Sequence, residues 1–174
     1  MSLEQHLKNT IVDVPDFPIE GILFKDITPI LGDPDSLRRV IDALAEHYEG
    51  KNISRFVGIE SRGFIFGTAL AYAMNKGFVL VRKPGKLPRE TVSVSYDLEY
   101  GQDTLEIHGD DLKEGERVVI IDDLLATGGT ANAACELVEK VGGEVVECAF
   151  IIELSFLNGR ERLPGRPIHS IVTY

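Results

Sequence analysis

A chain of 174 residues has the length of one domain and can bury a core of useful size. Its 44% hydrophobic and 26% charged residues are ordinary for a globular protein. The net charge of −10 argues against nucleic acid or an anionic membrane as partner, because such a surface repels either polyanion. Two cysteines, Cys135 and Cys148, are too few for a disulfide framework or a zinc cluster, and both fall in apolar periodic segments where buried thiols are expected. Met1-Ser2-Leu3 runs into Glu4-Gln5-His6 with no apolar signal core, and no run of about 18 apolar residues occurs, so a cytoplasmic protein is expected.

Residues 11–31 are rich in proline and glycine yet carry nine large apolar side chains from Val12 to Ile30, too many for a disordered tail, so this segment is expected to pack as a small hood over residues 1–34. Asp33-Pro34 is a helix start, an N-cap acceptor followed by a residue whose missing N–H costs nothing there. Leu37, Val40, Ile41, Leu44, Ala45 and Tyr48 then repeat at helical spacing until Gly50. Alternating elements follow: strands over 55–59 and 78–81 around a helix over 64–74, then half-buried strands over 91–96 and 104–108. A central strand over 117–121, a helix with Ala131, Ala134, Cys135, Val138 and Val141 on one face, and strands over 145–154 and 168–172 complete the chain. This alternation predicts an α/β fold with a central, mostly parallel sheet flanked by helices, in a single domain over 1–174. Ligands of such sheets sit at the carboxyl ends of the strands.

Residues 118–130, Val-Val-Ile-Ile-Asp-Asp-Leu-Leu-Ala-Thr-Gly-Gly-Thr, lead directly into the Ala131 helix. They read as a strand, two carboxylates at its carboxyl end, and a small-residue loop opening a helix. Gly128 and Gly129 let backbone N–H groups approach an anion, the helix adds free N–H groups and its positive end, and Thr127 and Thr130 add hydroxyls. That is a cradle for a phosphate monoester. Asp122 and Asp123 cannot face the same phosphate, so they should meet sugar hydroxyls or a metal ion. A glycine loop alone would be an ordinary turn, but the whole run in this order is specific. No Gly-Lys-Ser/Thr and no Gly-x-Gly-x-x-Gly is present, which sets aside Walker-type and dinucleotide sites.

This run resembles the signature with which type I phosphoribosyltransferases bind 5-phosphoribosyl-1-pyrophosphate (PRPP). In that family the acid pair holds the ribose 2′- and 3′-hydroxyls, and the loop, here Ala126 to Thr130, holds the 5′-phosphate. The Leu-Leu-Ala-Thr-Gly-Gly-Thr version resembles the adenine-using branch, and the likeness spans nearly the whole chain. It continues at Phe17-Pro18, 21–26, Glu60-Ser61-Arg62-Gly63-Phe64, Arg82-Lys83-Pro84-Gly85-Lys86-Leu87-Pro88 and Tyr96-Asp97-Leu98-Glu99-Tyr100-Gly101. The implied fold is the type I phosphoribosyltransferase fold with an N-terminal hood and a mobile flap.

Arg82, Lys83, Lys86 and Arg89 place four of 18 basic residues within eight positions, with no acid among them. A solvated basic turn would account for the count. Position decides otherwise: the cluster follows a strand end on the same edge as the phosphate loop, where a diphosphate would lie, and charge-assisted bonds to phosphate are strong. Arg62 opens a helix after another strand end and is a second pyrophosphate ligand. The resemblance agrees: it assigns Glu60, Ser61, Arg62 and Gly63 to a pyrophosphate loop, with a non-proline cis peptide at Glu60–Ser61, and Arg82, Lys83 and Lys86 to PRPP contacts. Mg²⁺ is implied by the charge of PRPP, held mainly by substrate oxygens and water and not by dedicated protein ligands. His6, His47, His108 and His169 show no ligand spacing.

A 6-amino purine needs an acceptor where a 6-oxo purine needs a donor. Enzymes of this fold for 6-oxo purines use a lysine on the strand after the phosphate-loop helix, and residues 141–158 contain neither Lys nor Arg. In the adenine branch the backbone beside Leu23 and Lys25 reads the base, Phe24 stacks on it, and Leu154 closes the other side; Lys25 stands where many relatives have arginine. Residues 83–102, with Pro84-Gly85 and Pro88, are long for a connection and read as a flap that excludes water rather than a tight hairpin. From the resemblance, Glu99 handles a proton of the base, with Tyr100 beside it. The implied reaction converts PRPP and adenine to AMP and pyrophosphate in a homodimer. Rival readings are a phosphoribosyltransferase for another purine such as xanthine, and a non-catalytic PRPP- or purine-sensing regulator. Against the regulator stand Glu99, the cationic flap and the lack of a basic DNA-binding face.

Overall fold

The computed structural model describes residues 1–98 and 101–174, which divide into two compact units, Met1–His47 and Tyr48–Tyr174. The first unit runs beyond the expected 1–34 hood and into a long helix. It begins with α1 (Leu3–Thr10), capped by the Ser2 hydroxyl, which accepts from the Gln5 N–H at 3.2 Å. A short antiparallel hairpin follows, β1 (Val12–Pro15) with β2 (Leu23–Asp26). The Asp26 carboxylate then accepts the N–H of Thr28, the first residue of α2 (Thr28–Gly32), at 2.9 Å. α3 (Pro34–Tyr48) starts where the Asp33-Pro34 signal places it, with Asp33 accepting the Ser36 N–H at 2.8 Å. Ile11, Ile27, Ile30, Val40, Ile41 and Leu44 are buried, whereas Phe17, Ile19, Ile22 and Leu23 are exposed.

The second unit is built on a five-stranded parallel sheet of order β4-β3-β7-β8-β9. Its strands are β3 (Arg55–Ile59), β4 (Gly77–Val81), β7 (Arg117–Leu125), β8 (Glu144–Glu153) and β9 (Ile168–Thr173), with α4 (Arg62–Ala73) joining β3 to β4 and α5 (Gly129–Lys140) joining β7 to β8. Val118, Val119, Ile120 and Ile121 of β7 are fully buried, which explains their uninterrupted apolar run: both faces of this strand are covered. Each such side chain contributes roughly 1.5–3 kcal/mol by leaving water. From β3 the chain steps outward to β4, and from β7 it steps the opposite way to β8. Right-handed crossovers therefore put α4 and α5 on opposite faces. The reversal falls between β3 and β7, the switch point where ligands of open α/β sheets bind.

β7 runs four residues further than the apolar pattern predicts. Asp122 and Asp123 accordingly lie inside β7 and not past its end, with Asp122 opposite Phe150 of β8. On the other side, pairing with β3 stops at Gly58↔Ile121, which leaves that edge of the acid pair open.

The segment 83–102 is not one long loop. Thr91–Asp97 is a strand, β5, fully paired with β6 (Gln102–His108) from Thr91↔His108 to Asp97↔Gln102. The alternation that buries Val94 and half-buries Tyr96 makes it a strand. β6 is joined to the end of β4 by reciprocal bonds between Arg82 and Glu106, at 2.9 and 2.7 Å. Cys135 and Cys148 are buried thiols, Sγ to Sγ 3.5 Å. No described helix is long and apolar enough to cross a membrane.

Candidate active site

The loop between β7 and α5 owes its shape to backbone packing. Gly128 has φ +85°, and a Cβ there would stand 2.3 Å from the Gly159 carbonyl oxygen. Gly159 in turn has no room for a side chain, since its Cβ would meet the Ala126 carbonyl at 2.3 Å. The two segments thus interlock without side chains. Gly159 precedes Arg160, whose guanidinium forks onto the buried Glu153 carboxylate at the end of β8, at 2.6 and 2.7 Å. Those Arg160 bonds, against the effect of burial and with help from the Ser170 hydroxyl, hold Glu153 below its ordinary carboxyl value. α5 then opens with no acid in its first turn, so its unpaired N–H groups and positive end face the cavity with Thr127 and Thr130.

The acid pair sits where α4 meets β7. A Cβ at Gly63 would fall 2.6 Å from the Ile121 carbonyl oxygen and 3.1 Å from Asp122 Oδ1, so only glycine lets the start of α4 come this close. Beside it, Arg62 Nε donates to Asp123 Oδ2 at 2.5 Å, and Asp123 is almost fully buried. The Asp122 carboxyl is pushed well above the usual carboxylate range, by burial first and then by the Asp123 charge. Its Oδ1 accepts the Asp123 N–H at 2.9 Å.

Glu60 gathers the cations. Its Oε1 accepts the Lys83 N–H at 2.7 Å and lies 3.3 Å from Arg82 Nε, while Lys86 Nζ stands 3.3 Å from Oε2. Burial raises the Glu60 carboxyl, but the Lys83 N–H with Lys86 and Arg82 outweighs it, and the net displacement is downward. The Glu60–Ser61 peptide is cis, as the resemblance implies. Arg89 does not join this cluster. Asp110 and Asp111 take its guanidinium at the far end of the β5–β6 hairpin, where His108 also meets it.

A cavity of about 300 Å³ brings Glu60, Arg62, Lys83, Asp122, Asp123 and residues 126–130 together. Ser61 and Gly63 belong to the same turn, and Arg82 and Lys86 reach it through Glu60. Two polar lining residues had no role in the sequence reading, Tyr96 and Asp103. Tyr96 stood in a quoted motif without a role, and Asp103 fell just before the expected strand over 104–108 and drew no notice. Leu154 lies buried just past β8. Leu23, Phe24 and Lys25 belong to β2 of the N-terminal unit, where Phe24 packs edge-on to Phe17 at 5.1 Å between ring centroids. Lys25 Nζ donates to Asp13 Oδ1 at 2.6 Å. Glu99 and Tyr100 lie outside the described residues.

Residues 27–164 match the phosphoribosyl transferase domain family. The adenine phosphoribosyltransferase of Geotalea daltonii is 57% identical over 170 residues, covering 98% of this chain and 99% of its own. The chain belongs to the adenine phosphoribosyltransferase family. Solved members of that family share its architecture throughout. The crystal structure from Thermoanaerobacter pseudethanolicus superposes with a TM-score of 0.96 at 51% identity, covering 99% of this chain and 100% of the other. The Saccharomyces cerevisiae enzyme, solved with an imino-altritol bisphosphate and adenine, gives 0.93 at 44% identity, covering 97% of this chain and 98% of the other.

Proposed function

We propose that this protein transfers the 5-phosphoribosyl group of PRPP to N9 of adenine, giving AMP and pyrophosphate in purine salvage. One observation carries the reading: within a single cavity an acid pair runs into a helix-opening glycine loop, and the cations of β3–α4 and of the β4 end face both. The first turn of α5 with Thr127 and Thr130 holds the 5′-phosphate. Asp122 and Asp123 hold the sugar hydroxyls. Arg62, Arg82, Lys83 and Lys86 receive the diphosphate, whose negative charge grows as the bond to the anomeric carbon breaks and the sugar becomes oxocarbenium-like. Cations at that place stabilise the charge that develops in the transition state more than that of the ground state.

Adenine N9 attacks the opposite face of the sugar, and Glu99, with Tyr100 beside it, takes the proton that N9 gives up. The backbone of Leu23 and Lys25 with the Phe24 ring reads the base, and Leu154 closes the other side. A 6-oxo purine finds no cation on β8, and Arg160, the first beyond it, is committed to Glu153. The cationic connection after β4 and the β5–β6 hairpin act as the flap that closes on bound PRPP.

Mg²⁺ belongs to the same reading. The donor set fits an ion carried in by its substrate, since the acid pair lines the cavity. Asp122 and Asp123 are the residues that would help hold it, and it would neutralise diphosphate charge. A cytoplasmic homodimer, as the family resemblance implies, completes the proposal. Incubation with PRPP, Mg²⁺ and adenine should yield AMP and pyrophosphate in equal amounts. No AMP from a folded preparation would overturn the assignment.

A further inference from the structure

Arg62, Lys86 and Lys83 are each matched by a carboxylate in the cavity: Asp123, Glu60 and Asp103. Asp123 and Glu60 arrive with the two strand-end motifs that build the site. Asp103 does not. It stands on β6, 20 residues beyond Lys83, and reaches the cavity because the hairpin register sets Tyr96 opposite Asp103. Its Oδ1 accepts the Thr104 N–H at 2.8 Å, and its Oδ2 takes the Lys83 ammonium together with the Tyr96 hydroxyl, 3.3 Å away. The same Tyr96 hydroxyl lies 3.2 Å from the Thr130 hydroxyl in the first turn of α5. An ionised Asp103 only accepts, so Tyr96 gives its single proton there and Thr130 donates to Tyr96.

We propose that Asp103 is a stand-in anion: it occupies Lys83 while the site lacks diphosphate, competes with pyrophosphate for that ammonium, and thereby speeds pyrophosphate release. The inference rests on the phosphoribosyl-transfer reading above. The Lys83–Asp103 pair is 40% and 27% exposed, so water screens it and a multiply charged diphosphate displaces it readily. The Thr130 link times the exchange. A phosphate on the α5 loop accepts the Thr130 O–H in place of Tyr96, and the hold of Tyr96 on Asp103 slackens as the other end of PRPP arrives.

A purely architectural role makes the opposite forecast. If the pair only pinned β6 to the end of β4, its loss would weaken ligand binding or leave it unchanged. The test is calorimetric titration of pyrophosphate with Mg²⁺ into wild type, Asp103→Asn, Asp103→Ala and Asp103→Asn with Lys83→Gln, at low and high salt. Both single variants should bind pyrophosphate about two- to fivefold tighter, the scale of a part-exposed ion pair. The gain should shrink at high salt and vanish in the double variant, and rapid-mixing measurements should show slower pyrophosphate release. Unchanged or weaker affinity in folded single variants, or a gain that survives loss of Lys83, overturns the stand-in role and leaves phosphoribosyl transfer intact. Wild-type protein that takes up neither PRPP nor pyrophosphate overturns both.

Discussion

At the β7–α5 end of the cavity, where we propose the 5′-phosphate binds, the wall is backbone, held by carbonyl-to-glycine contacts between residues 126–128 and Gly159 and by the Glu153–Arg160 fork. Where we propose the diphosphate lies, the wall is a set of ion pairs, Arg62–Asp123, Lys86–Glu60 and Lys83–Asp103, drawn from four separate strands or their ends. A shape made of backbone cannot adjust without moving the chain. Paired side chains can exchange partners. The difference suits a ligand that keeps its 5′-phosphate through the reaction but parts with its diphosphate.

The largest effect should come from the residues that join the two sides. Asp122→Asn with Asp123→Asn removes two sugar contacts at about 1–3 kcal/mol each. PRPP affinity measured by calorimetry should fall by roughly two orders of magnitude or more, with circular dichroism unchanged. Retained affinity would separate the acid pair from the sugar. Next is the rigid side: Gly128→Ala meets the Gly159 carbonyl and a left-handed φ, and misplacing the phosphate by an ångström should lower kcat/KM for PRPP about 10²-fold at any salt concentration. The exchangeable side should respond differently. Lys83→Gln should weaken pyrophosphate binding about tenfold or less, with the loss shrinking as salt is raised, because screening already weakens what is lost. Equal salt sensitivity in both variants would dissolve the contrast.

A separate effect is on stability. Glu153 is held below its ordinary value of 4.5 in the folded protein. A depressed carboxylate contributes stability that is complete above its unfolded value and is lost as pH falls toward the folded one. Glu153→Gln should therefore cost on the order of 1–3 kcal/mol at neutral pH and flatten the acid limb of stability below about pH 4.5. Chemical denaturation across pH 3–7 reads both, and a parallel shift with an unchanged acid limb would contradict the assignment.

What could be read from the sequence follows the range of the interactions. β3, α4, β4, α5, β8 and β9 emerge within a few residues of their expected bounds, because burial on one or both faces writes a period into the chain. The phosphate loop was legible since strand, acids, glycines and helix are contiguous. α1 was not, having Leu7 as its one buried residue, and the four-residue strands β1 and β2 are too short and too exposed to alternate. The acid pair was placed past the strand end because pairing with β8 continues where the apolar run stops. Tyr96 and Asp103 were missed, and Arg89 wrongly grouped with the cations, for one reason: their partners, 7 to 21 residues away, are set by how β5 and β6 pair, which composition does not display.

The most direct test is the comparison of kcat/KM for adenine against hypoxanthine and guanine, each with saturating PRPP and Mg²⁺. A site that reads a 6-amino group leaves buried polar groups unpaired with a 6-oxo purine, so adenine should lead by about 10⁴-fold or more. Turnover of hypoxanthine or guanine within tenfold of adenine would contradict the account.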